Sequence, residues 1–289
     1  MTLKPQTPLM LRAKRAFKMA PLLYFSYGMT KTGSTLAFEL ARSALDLCGY
    51  PQDPAKLEGI IINARLNFVN TLQKAGLQKT MAYARKLGHP LVLKTHARPP
   101  EELADMIKRG EAVVQVSYRD PRDMALSMLD HGIRARARGS NSFSELKTLE
   151  QTLENIRQQF ETLSLWLKLP NVLPLYFEDV GFATPAAAKQ VLQRLGLRLD
   201  AKTLADVVHQ HRFTQKNKAK ALRYPDEMAV GQSEAIAQEF APFIAKFITN
   251  RAELPTDGRP LLAPTETIRH PHWTNAEKPT TLSPKRNEP

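Results

Sequence analysis

Cysteine is almost absent from this chain, with Cys48 the single example. One thiol closes no internal disulfide, so nothing in the fold is expected to depend on an oxidising compartment. Its apolar neighbours Leu45 and Leu47 point to a buried thiol rather than a nucleophile. Long apolar runs are also missing. The longest near the N-terminus covers 19–25, and Pro21 interrupts it. That is too short to cross a bilayer and does not look like a secretory leader. No membrane span is expected, and the expected compartment is the cytoplasm. No internal repeat is visible. Negative charge is the scarcer sign: 41 Lys and Arg face 28 Asp and Glu, a net charge of +13. Such a surplus favours an anionic partner, whether nucleic acid, a membrane surface or a phosphorylated ligand, and does not choose among them.

What is present is a globular composition. The chain has 289 residues, 43% of them hydrophobic, enough for one sizeable α/β core or two small domains. Four short apolar runs, 22–27, 91–95, 112–118 and 172–177, read as strands. They do not alternate strictly, as expected of a sheet covered on both faces. Helical patterns follow at 35–47, 101–109 and 121–129, the last opening with Pro121 at a first helical position. This alternation predicts an α/β fold: a single domain with a mostly parallel, doubly wound sheet, a phosphate-binding loop and flanking helices. Over 146–167 a stripe of Leu146, Leu149, Leu153, Ile156, Phe160, Leu163 and Leu167 predicts a helix packed on that sheet. Further helices are expected at 185–195, 202–209 and 233–248, with Pro242 kinking or bounding the last. Residues 1–21 read as a basic arm and 22–251 as the domain. Residues 252–289 read as a proline-punctuated, extended or disordered tail.

Three motifs stand at strand ends, where open α/β sheets bind ligands. The first is Gly28-Met29-Thr30-Lys31-Thr32-Gly33-Ser34-Thr35. A glycine-bearing turn entering a helix N-terminus cradles an anion. It is not the common nucleoside-triphosphate loop, because Ser34 stands where that loop needs lysine. The second is Lys94-Thr95-His96, which would put a titratable imidazole in the crevice. The third is Arg119-Asp120-Pro121-Arg122-Asp123 with Ser127 two helical turns on. Arginine suits phosphate there, although a helix cap with flanking ion pairs would use the same residues.

Taken together, these elements resemble the PAPS-dependent sulfotransferases of the soluble, cytosolic type (PAPS is 3′-phosphoadenosine 5′-phosphosulfate). Lys31-Thr32-Gly33-Ser34-Thr35 is similar to their 5′-phosphosulfate loop, and Lys94-Thr95-His96 to the strand end that carries their base. Arg119 to Asp123 with Ser127 is similar to their 3′-phosphate element, and Phe177-Glu178-Asp179 to a later Tyr-Glu-Asp segment. The resemblance implies PAPS as donor, His96 as base, Lys31 on the leaving phosphate and Lys94 on the sulfuryl group. It implies that Thr32, Gly33, Ser34 and Thr35 help hold the donor, that Arg119 and Ser127 hold the 3′-phosphate, and that Phe177 lies near the adenine. No metal is implied. The sequence departs at Leu36, where an aromatic is usual, and at Phe177, where the hydroxyl is missing. The late Arg-Lys-Gly segment that closes over the 3′-phosphate has no match; the nearest basic run is 211–218.

Other readings stay open at this level. A nucleotide kinase or NTPase would need a lysine at position 34 and a magnesium-binding carboxylate. A nucleic-acid module would interleave aromatics with its basic residues, and the segment 132–139 has none. A non-catalytic PAP-binding protein is the third. The acceptor class is not legible: a small molecule, a lipid or a sugar all fit, and a homodimer is compatible with the sequence. His209-Gln210-His211 and His270-Pro271-His272 lack companion ligands for a metal. The basic run 131–138, with Gly132 inside it and Gly139 after it, is expected to be a mobile gate over the site.

Overall fold

Strand β1 (Leu23–Gly28) is buried along its whole length. Phe25 and Tyr27 face one core cluster and Tyr24 the other, which is why its apolar residues do not alternate with polar ones. The computed structural model describes residues 23–141, 143–212 and 220–250; the expected arm 1–21 and tail 252–289 lie outside the described residues. Within them the sheet has six strands. The others are β2 (Ile61–Asn63), β3 (Phe68–Val69), β4 (Leu91–Thr95), β5 (Ala112–Tyr118) and β6 (Leu173–Tyr176). Their order is β2-β3-β4-β1-β5-β6, with every pairing parallel except β2 with β3. From β1 the chain runs out to the β2 edge, returns through β3 to β4 beside β1, and then crosses to β5. The strand order therefore switches beside β1, and the crevice at such a switch is where doubly wound sheets take ligands.

Two parts of this sheet escape a reading of the sequence. Strands β2 and β3 are two or three residues long and partly exposed, so they carry no pattern. Helix α2 (Lys74–Leu87) buries Leu77, Thr80, Met81 and Ala84, a stripe at helical spacing whose small and polar members hide it. Helix α1 (Ser34–Leu47) follows β1 and α3 (Leu103–Lys108) follows β4, as expected.

Helix α4 (Pro121–Ala137) corrects the expectation of a mobile basic gate. The run 131–138 is the second half of this helix and its C-cap, not a loop. Gly132 is buried against the segment that follows: a Cβ there would stand 2.6 Å from the carbonyl oxygens of both Phe143 and Leu146. Arg136 Nη1 donates to Ser144 O at 2.9 Å and to Leu146 O at 3.0 Å, fastening the same crossing. Glycine is here for close approach. Gly132→Ala is expected to lower the melting temperature by several degrees, through roughly 1–3 kcal/mol of overpacking that outweighs alanine's better helix propensity. A melt showing no change or a rise would return the segment to a tolerant, loosely packed state.

The long stripe behaves as expected. Helix α5 (Leu149–Leu167) opens with a capping box between Thr148 and Gln151 and packs Leu153, Ile156, Leu163 and Trp166 into the core. Trp166 stacks on Tyr27 with ring centres 4.9 Å apart, and its Nε1 donates to Ala97 O at 2.9 Å. After β6 come α6 (Phe177–Phe182), α7 (Thr184–Leu195), α8 (Ala201–His211) and α9 (Tyr224–Glu227). The single helix expected over 233–248 is divided at Phe240, just ahead of Pro242. Helix α10 (Val230–Glu239) is followed by the short α11 (Ala241–Phe243) and a π-helical turn, Ile244–Thr249. Proline brings no N–H for a continuing ladder. No described helix is long and apolar enough to cross a membrane.

Candidate active site

Gly28 ends β1, and only glycine fits: a Cβ would collide with Ser117 Oγ of β5 and lie 2.6 Å from Ser34 Cβ. The chain then turns through Lys31 and Gly33, both left-handed at φ 67° and 70°. A left-handed lysine is uncommon and costs energy, a feature that recurs at ligand loops. Thr32 Oγ1 staples the turn, donating to Met29 O at 2.7 Å and lying 3.0 Å from Ser117 Oγ. Because the N-cap of α1 is Gly33, no side chain caps the first turn, where Ser34 and Thr35 are buried. An uncapped helix N-terminus with its positive dipole end suits an anion.

A residue from outside the motifs braces this loop. Gln159 Oε1, on α5, accepts from Thr30 N at 2.7 Å and from Thr30 Oγ1 at 3.0 Å. In sequence Gln159 is one more polar position beside the apolar stripe. Only the packing of α5 across the sheet reveals its role.

Lys94 and His96 stand at the end of β4, next to β1. His96 Nδ1 donates to the carbonyl of Gly28, which fixes the tautomer and leaves Nε2 as the acceptor. Nε2 lies 3.2 Å from Lys94 Nζ. Burial, reinforced by the Lys94 charge and opposed by the Gly28 carbonyl, lowers the His96 pKa to about 3, so the ring is neutral at pH 7. Burial also lowers Lys94 to about 8. Phe68 borders both groups, with its ring centre 5.1 Å from Lys94 Nζ and 5.3 Å from that of His96.

Lys31 reaches across the loop to α4, where its Nζ lies 2.9 Å from His131 Nδ1. Burial, then the charges of Arg134 and Arg119, lower it to about 8.

At the end of β5 the motif residues divide their labour. Asp120 caps α4, accepting from Arg122 N at 2.9 Å, and Arg122 grips it with a fork at 2.9 and 2.6 Å. These two residues are the helix cap and ion pair that the sequence also allowed. Arg119 is different. It is buried, sets its guanidinium carbon over the Phe177 ring 3.9 Å from the centre, and meets Asp123 at 3.4 Å and Glu178 at 3.6 Å. Arg119 Nε makes no hydrogen bond and faces Glu178 Oε1 only as the ion pair at 3.6 Å. Burial raises the pKa of Glu178, against the pull of Arg119. A buried guanidinium N–H held only by a long ion pair fits a phosphate oxygen. Ser127 is buried two turns along α4 from Asp120. The Phe177 ring touches the loop as well, since a Cβ on Gly33 would come within 2.9 Å of it. Phe177 therefore joins the loop to Arg119.

The segment before α9 closes over this corner. Asp123 Oδ1 accepts from both Arg223 N and Tyr224 N at 2.9 Å, and Arg122 stacks on Tyr224 at 3.6 Å. Arg119 Nη2 donates to Lys220 O at 3.4 Å. Arg223 itself pairs with Glu227 at 2.6 Å and Asp130 at 2.8 Å. Most of the basic run 211–218, expected nearby, lies outside the described residues. The Arg223–Glu227 spacing, four residues apart on a short helix, was a signal for this docking element that a motif search passes over.

A family model described as a sulfotransferase domain matches residues 25–249. This chain belongs to the sulfotransferase family. The matched span covers five of the six strands whole, β1 from Phe25 onward, and every residue of the site just described. Among curated proteins, none matches the chain in sequence. Among solved structures, this sulfotransferase is similar to a retinol dehydratase in complex with retinol and PAP. The two share 18% identity and a TM-score of 0.49, over 82% of this chain and 86% of that one. A second is retinol dehydratase in complex with androsterone and PAP, described as an inactive cofactor. Here identity is 16% and the TM-score 0.49, over 80% of this chain and 84% of that one.

Proposed function

We propose that this sulfotransferase moves a sulfuryl group from PAPS to a hydroxyl or amine of a small-molecule, lipid or sugar acceptor. The observation that carries this reading is His96: neutral, held by the Gly28 carbonyl at the mouth of the loop, with Nε2 turned toward Lys94. A base, a lysine and an anion loop converge from two adjacent strand ends, which in-line transfer requires.

PAPS supplies the activated sulfuryl group. His96 accepts the acceptor's proton at Nε2 as the new S–O or S–N bond forms. Lys94 stabilises charge on the sulfuryl oxygens. Lys31, with the backbone at Gly33, Ser34 and Thr35 and the hydroxyl-bearing Thr32 bracing the turn, stabilises the phosphate oxygen as its bond to sulfur breaks. Arg119 and Ser127 hold the 3′-phosphate and so favour PAPS over ATP. Phe177, between the loop and Arg119, packs beside the adenine. The residues hold and discriminate by charge and position, with the proton ending on His96.

Calorimetric titration with 3′,5′-ADP, run in parallel with ATP, tests this reading. Micromolar binding of the first and weak binding of the second are expected. The affinity should also depend on pH with a definite sign. Lys31 loses its proton near pH 8 in the free protein, and a bound 5′-phosphate raises that value back toward the ordinary lysine range. Binding should therefore take up protons above pH 8, and affinity should fall at least about tenfold between roughly pH 7.5 and 9.5. Equal binding of ATP, or a pH-independent affinity, would count against the site.

A further inference from the structure

Lys31 has a partner that the motifs do not contain. Its Nζ lies 2.9 Å from His131 Nδ1, so the ammonium donates and the imidazole carries its own proton at Nε2. His131 is four residues beyond Ser127 on α4, one turn along the same face. Its ring is held by the edge of Phe143, with centres 5.0 Å apart. The neighbouring Gly132 lets the Phe143 carbonyl approach α4 closely, which fixes the height of that ring.

We infer that His131 is a positioning residue that holds the Lys31 ammonium in place for the leaving phosphate without neutralising it. The inference rests on the assignment of Lys31 to the donor's 5′-phosphate. A lysine carries four rotatable bonds, and an unrestrained one loses that freedom each time it grips a ligand. A carboxylate partner would restrain it too, but would cancel its charge and compete with the phosphate. A neutral imidazole restrains it and leaves the full charge available. The surroundings agree: Arg134 and Arg119 are the charges that disfavour protonated Lys31, and Asp130, the carboxylate that favours it, is itself paired with Arg223 at 2.8 Å. One helix thus serves both ends of the nucleotide, through Ser127 for the 3′-phosphate and His131 for the 5′ side.

The test is a set of calorimetric titrations of the wild type, His131→Phe, His131→Asn, Lys31→Ala and the Lys31→Ala/His131→Phe double variant. Each is titrated with 3′,5′-ADP and with adenosine 3′-phosphate, which lacks the 5′ group. His131→Phe should weaken 3′,5′-ADP by about fivefold, the scale of one side chain's lost preorganisation, and leave adenosine 3′-phosphate unchanged. His131→Asn offers an amide oxygen near the place of Nδ1 and should recover the affinity to within about twofold. In the Lys31→Ala background His131→Phe should add nothing, because the two act as one unit. Equal weakening of both nucleotides, a loss that persists without Lys31, no loss at all, or an asparagine as poor as phenylalanine would each overturn the inference. A wild-type protein that binds no 3′,5′-ADP would bring down the donor assignment first, a result separate from all of these.

Discussion

His96→Ala protein is expected to bind 3′,5′-ADP as the wild type does and to turn over PAPS at least about a hundredfold more slowly, the usual contribution of a positioned general base. The structure sharpens why. His96 is not merely a histidine near a pocket. Its Nδ1–H is committed to the Gly28 carbonyl, so the ring's lone pair is on Nε2, beside Lys94 Nζ, for a proton from an acceptor. Burial and Lys94 keep the ring neutral through the physiological range, so the base form is always present. Alanine also removes the link between β4 and the start of the loop, which would confuse a loss of base with a loss of positioning. His96→Asn separates the two. Its amide can still donate to Gly28, yet it accepts no proton. It should be as slow as His96→Ala while keeping wild-type stability and donor affinity. Near-normal turnover by either variant, measured with labelled PAPS and an acceptor found by screening, would remove the base assignment.

The second large effect is expected at Arg119. Arg119→Ala should weaken 3′,5′-ADP about a hundredfold and AMP less than about threefold, because a charge-assisted hydrogen bond to phosphate is worth roughly 1.5–3 kcal/mol and only one nucleotide carries the 3′ group. Alanine also leaves Asp123 and Glu178 buried without their cation, at a cost of about 3–5 kcal/mol in stability. Arg119→Lys keeps a charge between the two carboxylates but loses the planar fork and the stacking on Phe177. It should fold well and still lose at least about tenfold in 3′,5′-ADP affinity. Equal weakening of 3′,5′-ADP and AMP in the lysine variant would mean that Arg119 is a structural strut and that the 3′-phosphate sits elsewhere.

The sequence by itself determined the parallel sheet, since fully buried strands must be apolar on both faces. It also located the three strand-end motifs, because a tight anion turn needs Gly28 and Gly33, and a helix entered through Asp120-Pro121 caps itself. Those are local requirements, written in neighbouring residues. Other features were decided only by the tertiary structure, since each joins groups far apart in the chain. Gln159 bonds to Thr30, His131 to Lys31, and Asp123 to the backbone of Arg223 and Tyr224, over separations of about a hundred residues or more. The run 131–138 looked like a loop because glycine and alternating arginines weaken a helical signal. It is helical, and Gly132 lets another segment's carbonyls pack closely against it. Even the protonation state of His96 comes from the fold. A histidine in sequence titrates near neutrality, and only burial beside Lys94, with Nδ1 held by a carbonyl from another strand, makes it a neutral base aimed in one direction.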